Sequence, residues 1–177
     1  MLFLVLGSCL GLALSACKAT KQALAPAAGR VLFTGHEPVK KVRLFFPALH
    51  KAGLVEEGAE IYATASLLNQ AKQVLLLVLA GPKNLKTEGA PSFGSGAAMR
   101  EMFMDGKDLA VLDLAIGTAL SHPGGTTAEY ASLLSLWKSL SVNFPQAKRL
   151  QILIDGQPAV SLAGHVDLLS PLSAADF

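Results

Sequence analysis

Apolar and polar positions alternate from Val42 through Leu44 to Phe46 and stop at Pro47, a period of two that predicts a strand. Leu54 to Tyr62 predicts a second extended segment, carrying Glu56, Glu57 and Glu60. Leu67, Leu68, Ala71, Val74, Leu75, Val78 and Leu79 then recur at helical spacing, with Asn69, Gln70, Lys72 and Gln73 on the other face. Gly81-Pro82 ends the run, so the pattern predicts a helix over residues 65–80. Val74 to Ala80 alone would also fit a buried strand. Asp105-Gly106 is a turn signal between Arg100–Asp105 and Asp108–Leu114 and predicts an antiparallel hairpin. Its second strand carries Ala110, Leu112 and Leu114 on one face and Leu109, Val111 and Asp113 on the other, which predicts a central strand. Ser121-His122-Pro123-Gly124-Gly125-Thr126 leads into a second helix. Thr126 with Glu129 fits a capping box, and Tyr130, Leu133, Leu134, Trp137 and Leu140 form its expected core stripe. Pro145 stops that helix. Leu150, Ile152 and Ile154 predict a further strand, and Asp155-Gly156 a turn into a short strand at Ala159-Val160. The tail through Gly164 and Pro171 is turn-rich and is expected to close over the sheet. This order predicts an α+β fold: a mixed or antiparallel sheet of about five strands with two helices packed on one face.

Ahead of these elements lies a different pattern. Apolar residues dominate from Met1 to Ala16, a run shorter than the roughly 20 residues a transmembrane helix needs. The run ends in small residues, Leu14-Ser15-Ala16-Cys17, as an export signal does at its cleavage site. No Lys or Arg precedes Lys18. The four residues resemble the lipobox of bacterial lipoproteins. That resemblance implies removal of residues 1–16 as a signal peptide and addition of lipid (palmitate among its acyl groups) to Cys17. Residues 17–38 show no sustained period and are rich in Ala, Lys, Gln, Pro and Gly, which predicts a flexible tether. Val31-Leu32-Phe33 could form a short early strand within it. The remaining residues, 39–172, would make a single domain.

Composition narrows the chemistry. Half of the 177 residues are hydrophobic, enough for a core in one domain. A net charge of +2 without a basic face argues against nucleic-acid binding. Lys40-Lys41-Arg43 and Lys148-Arg149 read as strand-flanking solubility residues. The two cysteines are Cys9 and Cys17. One would leave with the signal and the other would carry lipid. The domain would then have no disulfide, thiolate nucleophile or cysteine ligand.

Taken in order, Val42-Arg43-Leu44-Phe45-Phe46, the helix ending Val78-Leu79-Ala80-Gly81-Pro82, Asp108-Leu109-Ala110-Val111-Leu112-Asp113-Leu114, Gly124-Gly125-Thr126 with Glu129, and Ile152-Leu153-Ile154-Asp155-Gly156 resemble the GerMN domain family of sporulation and spore germination. The resemblance covers Val39 to Pro171. It implies a small interaction module, similar to the ring-building domains of secretion-like assemblies, with no catalytic residues to carry over. One such domain fits here where some members have two, so no sporulation role transfers with it.

Candidate chemistry outside the resemblance is sparse. Asp113, Ser121 and His122 are the best nucleophilic constellation, yet Ser121 and His122 are neighbours in sequence and no nucleophile elbow surrounds them. His122 and Pro123 are expected to shape the loop, and Asp113 to bond backbone groups. Gly94-Ser95-Gly96 lacks the strand and helix that a phosphate loop needs and is expected to serve a turn. His36, His50, His122 and His165 are widely spaced, with no helical pair for a metal. Glu56, Glu57 and Glu60 lack a calcium-loop pattern and read as a solvated face. Asp105 and Asp155 read as turn residues, and Trp137 as core.

The expectation is a non-catalytic, lipid-anchored protein of the bacterial envelope, without cofactor or metal, that binds a protein partner. Its candidate surfaces are an exposed sheet edge and the loop Ser121, His122, Gly124, Gly125 and Thr126. Lys18 after the lipidated cysteine would go with outer-membrane sorting in a two-membrane cell; the periplasmic face is the other location. A peptidoglycan- or glycan-binding module is the second reading, opposed by an aromatic content of 6%. A hydrolase is the third.

Overall fold

The computed structural model describes residues 38–84 and 88–177. The leader, Cys17, the tether, His36 and Val31-Leu32-Phe33 lie outside the described residues. Strands β1 (Val39–Pro47) and β2 (Leu54–Tyr62) form an antiparallel ribbon in continuous register, Val39 opposite Tyr62 and Pro47 opposite Leu54. Helix α1 (Leu67–Ala80) follows. Ser66 caps it by accepting from the Asn69 N–H, and Gly81 ends it at φ 85°, a conformation that glycine adopts without a Cβ penalty. Then come β3 (Met99–Met104) and β4 (Leu109–Leu114), paired as the expected hairpin. Asp105 Oδ1 accepts from the N–H groups of Lys107 and Leu109, which builds that turn.

A short helix α2 (Ile116–Leu120) precedes the long α3 (Thr126–Asn143). Nothing in the apolar period marks α2, whose five residues are barely more than one turn. β5 (Arg149–Ile154) pairs with β4 in parallel, a pairing that α3 makes possible by crossing back over the sheet. β6 is only Gln157–Pro158, so the expected strand at Ala159-Val160 ends before those residues.

The fold is α+β, with a two-stranded sheet β1-β2 and a four-stranded mixed sheet β3-β4-β5-β6. β4 is central in the larger sheet. Ala110, Leu112 and Leu114 on its inner face are fully buried. α1 packs against α3, β1, β2 and β3, and α3 packs against β1. One apolar cluster joins all layers: Leu44 and Phe46, Val74, Leu75 and Val78, Leu112, Leu136 and Leu140, Leu150 and Ile152. The tail closes over the sheet as expected. Leu150 and Leu172 exchange backbone hydrogen bonds at 2.8 Å, and Leu162, Leu168 and Leu172 join the core.

α3 departs from its sequence reading. Its buried face holds Glu129, Ser132, Leu133, Ser135, Leu136, Ser139 and Leu140. Of the other residues expected in the core stripe, Trp137 is half-buried and packs against the core, Leu134 is half-buried and Tyr130 is exposed. Phe177 stacks against Tyr130 and Trp137, with ring centroids 5.3 and 5.5 Å away. Four of the seven residues on the buried face are polar, and Glu129, Ser132 and Ser139 among them bond backbone groups of other segments. A count of apolar side chains therefore finds Leu133 and Leu140 but misses the polar part of the buried face.

Candidate functional site

The loop Ser121–Gly125 joins α2 to α3 and contains most of the residues expected to bind a partner. His122 N–H donates to Ala119 O, which ends α2. Gly124 and Gly125 have φ of 76° and 84°, in the left-handed region that favours glycine. Gly125 is the residue that precedes the first turn of α3, and no side chain caps it. The expected capping box is therefore not formed: neither Thr126 nor Glu129 serves the helix start.

Glu129 is instead a buried clasp for the tail. Its Oε1 accepts from the N–H of Leu162 and Ala163, and its Oε2 from the N–H and Nδ1 of His165. Burial alone would raise its pKa. The backbone donors of Ala163, His165 and Leu162 outweigh burial and hold the carboxyl below its ordinary range. This role leaves no mark in local sequence, since the partners lie more than 30 residues away.

The hydrolase constellation is not assembled. Ser121 Oγ lies 3.5 Å from Thr118 O. His122 is engaged by Gly124 N–H at Nδ1 and by Ser132 Oγ at Nε2. Asp113 accepts from Gly156 N–H at 2.8 Å and pairs with Arg100. Each group thus meets different partners. Arg100 also bonds Asp155, which accepts from Ile116 N–H at the start of α2. Asp155 sits at φ 49°, a conformation that aspartate tolerates in turns. Asp113 and Asp155 together tie β3, β4, α2 and the turn after β5, which makes these family-pattern aspartates architectural.

Gly94 and Gly96 serve a turn, closed by Ala97 N–H to Gly94 O at 3.0 Å. They also permit a close approach that sequence reading missed. A Cβ on Gly94 would overlap the Ser121 carbonyl oxygen, so this segment packs directly on the candidate loop.

The sheet edges are less open than the strand order implies. On the side of β1 away from β2, Arg43 N–H donates to Asn143 Oδ1 and Phe45 N–H to Ser139 Oγ, both from α3. Asn143 Nδ2 donates back to Arg43 O. On β3, Met102 N–H donates to the carboxylate of its neighbour Glu101, which also pairs with Lys72. Side chains thus occupy backbone groups that an added strand would need.

Two open grooves flank β2. One of about 800 Å³ is lined by Lys41, Glu56, Glu57, Glu60, Lys83 and Asn84, with no aromatic ring. Glu57 is buried there and accepts from the N–H groups of Lys83 and Asn84, whereas Glu56 pairs with Arg43; the acidic set is a solvated face only in part. The other groove, about 450 Å³, is lined by Val39, Tyr62, Gln73, Leu76 and Leu77 among others. Among the described residues, no cluster of His, Cys, Asp and Glu is placed to hold a metal ion, and no helix is long and apolar enough to cross a membrane.

Comparison with known proteins now decides the family. The model for Germane, described as sporulation and spore germination, matches residues 34–160. The chain belongs to the Germane, or GerMN, family. The first GerMN domain of the sporulation protein GerM from Bacillus subtilis has the same fold, with a TM-score of 0.60 at 14% identity over 77% of this chain and 98% of that one. The tandem GerMN domains of the same protein align with a TM-score of 0.64 at 15% identity, covering 78% of this chain but 48% of theirs. A presumptive lipoprotein of Clostridium perfringens aligns with a TM-score of 0.56 at 20% identity, over 78% of this chain and 89% of that one. A search of curated proteins finds no significant match. The GerMN domain here thus corresponds in extent to one of the two in GerM.

Proposed function

We propose that this GerMN protein is a lipid-anchored component of the bacterial envelope that works by binding another envelope protein and not by catalysis. The reading is carried by one conjunction: a GerMN domain over residues 34–160 behind an apolar leader that ends Leu14-Ser15-Ala16-Cys17. The similarity to a presumptive lipoprotein supports the envelope setting. In this reading residues 1–16 are removed, Cys17 carries the lipid, residues 17–38 are the tether, and the domain of residues 39–172 presents its surface on the extracytoplasmic side. Each buried lipid methylene contributes about 0.8 kcal/mol, and two or more chains hold a protein stably at a bilayer. Confinement near the membrane raises the effective concentration of a partner, so a modest affinity suffices.

The non-catalytic part rests on engagement. Ser121, His122 and Asp113 are each held by bonds that build the fold. The loop Ser121, His122, Gly124, Gly125 and Thr126 is the proposed contact surface, because Ser121, Gly125 and Thr126 are exposed at a defined turn next to α3. Cys17→Ser should move the full chain from the detergent phase to the aqueous phase; unchanged partitioning rejects the anchor. Crosslinking of the native protein in cells should recover a specific envelope protein through residues 121–126. Recovery of a free monomer alone rejects the binding role.

A further inference from the structure

The lead-in to α3 is held by a one-way chain of hydrogen bonds. Gly124 N–H can only donate, and it lies 3.0 Å from His122 Nδ1. Nδ1 is therefore an unprotonated acceptor, and the ring proton sits on Nε2. Nε2 lies 3.0 Å from Ser132 Oγ on α3. The Ser132 hydroxyl donates onward to the carbonyl of Ser92, which can only accept. Each proton has one place, and only the neutral imidazole completes the chain. A second proton on Nδ1 would set two donors against each other across the bond to Gly124. The ring is largely buried, with Phe93 edge-on at 6.1 Å, so a cation there is poorly hydrated while the loop is closed.

We propose that His122 is an acid-sensitive latch that fastens the Ser121–Gly125 loop to α3 and to the Ser92–Gly94 segment. The charged surroundings are simple. The loop itself, α2 and Ser92–Gly94 carry no titratable side chain besides His122. α3 contributes Glu129, whose charge favours the imidazolium, and Glu129 is in turn contacted by His165. The Glu129 oxygens are already taken by the N–H groups of Leu162, Ala163 and His165. Burial outweighs the attraction of Glu129 and keeps His122 neutral to below its ordinary value of 6.5. Protonation sets Nδ1–H against Gly124 N–H and releases Gly124, while Nε2–H still donates to Ser132; the loop therefore opens from its Gly124 end. The latch is a property of the loop and holds whether or not the chain is anchored or binds a partner there.

An NMR titration of the isotope-labelled full chain in detergent micelles, from about pH 8 to about pH 5, tests this. The expected result is an Nε2–H tautomer at the alkaline end and a His122 midpoint below 6.5, with the Gly124 amide moving at the same midpoint. Amide protection at Gly124 and Gly125, corrected for intrinsic exchange, should fall by up to about tenfold per pH unit through that window, the limit for one linked proton. In His122→Asn an amide oxygen can accept from Gly124 without titrating, so that fall should vanish. A proton on Nδ1 at neutral pH, a Gly124 amide indifferent to the His122 titration, or the same loss of protection in His122→Asn would each overturn the latch. The wild-type titration decides alone if the variant does not fold.

Discussion

Glu129 shows how far a single side chain can depart from its sequence context. It stands three residues after Thr126 at the start of a helix, the spacing of a capping box. Yet its carboxylate is buried and gathers N–H groups from Leu162, Ala163 and His165. Removing the charge leaves those donors with a weaker acceptor, and a glutamine NH₂ would confront at least one of them. Hydrogen bonds to a charged group contribute about 1.5–3 kcal/mol each, so Glu129→Gln should destabilise the domain by about 3 kcal/mol in urea unfolding. The loss should be accompanied by early exchange of the Leu162 and Ala163 amides. A change below about 0.5 kcal/mol, the usual size for an indifferent surface site, would show that the tail is held by packing alone. His122 is the second such residue: its imidazole reads as a candidate for chemistry and acts as a neutral link between a loop and a helix.

At the scale of elements, α1 was legible and α3 only in outline. α1 buries Ala71, Val74, Leu75 and Val78 on one stripe, as its apolar period indicates, but Gln70, expected on the polar face, is also buried and Leu67, expected in the stripe, is half exposed. Leu75 is fully buried while Leu76 keeps 49% of its surface exposed. Leu75→Ala should therefore cost about 2–5 kcal/mol of stability, and Leu76→Ala no more than about 0.5 kcal/mol. Equal losses, measured by chemical denaturation, would place the helix in a different orientation. α3 instead runs a polar row, Glu129, Ser132, Ser139 and Asn143, along the side that meets the rest of the fold. These side chains serve backbone groups on other elements, including the outer edge of β1. Asn143→Ala removes both the acceptor for Arg43 N–H and a donor to Arg43 O. It should cost about 1–2 kcal/mol, and it should leave β1 more prone to strand pairing between molecules, read as concentration-dependent aggregation. Unchanged stability and solubility would mean that water replaces Asn143 without loss.

The whole molecule has an acid response that follows from these two buried groups. His122 has a depressed folded pKa, so the unfolded chain binds its proton first. Stability is complete above 6.5 and declines as the pH falls from there to the folded value. Glu129 is also depressed, from 4.5, so its contribution is complete above that value and is lost as the pH falls through the folded value. Asp155, held down first by its bond to Arg100, adds to the lower stage. The midpoint of urea unfolding plotted against pH should therefore drop in two stages. His122→Asn should remove the upper stage and Glu129→Gln should weaken the lower one. A single stage in the wild type would contradict the assignment.

What the chain's own order of residues determined was local. Periods of two and 3.6, Gly81-Pro82, Asp105-Gly106 and Asp155-Gly156 set where strands, helices and turns form, because those preferences act within a few residues. The same ordered pieces carried the family, which the match over residues 34–160 bears out. The α+β class follows from them, whereas the choice between a mixed and an antiparallel sheet was made by the tertiary pairing of β4 with β5. Only the tertiary structure decided which polar residues of α3 turn inward, where Glu129 points, how the edge of β1 is covered, and why Gly94 must be small. Each of those outcomes joins residues far apart in the chain, Asn143 and Arg43 being 100 positions distant. A buried polar group takes whatever partner the packed chain brings to it, and no local period encodes that partner.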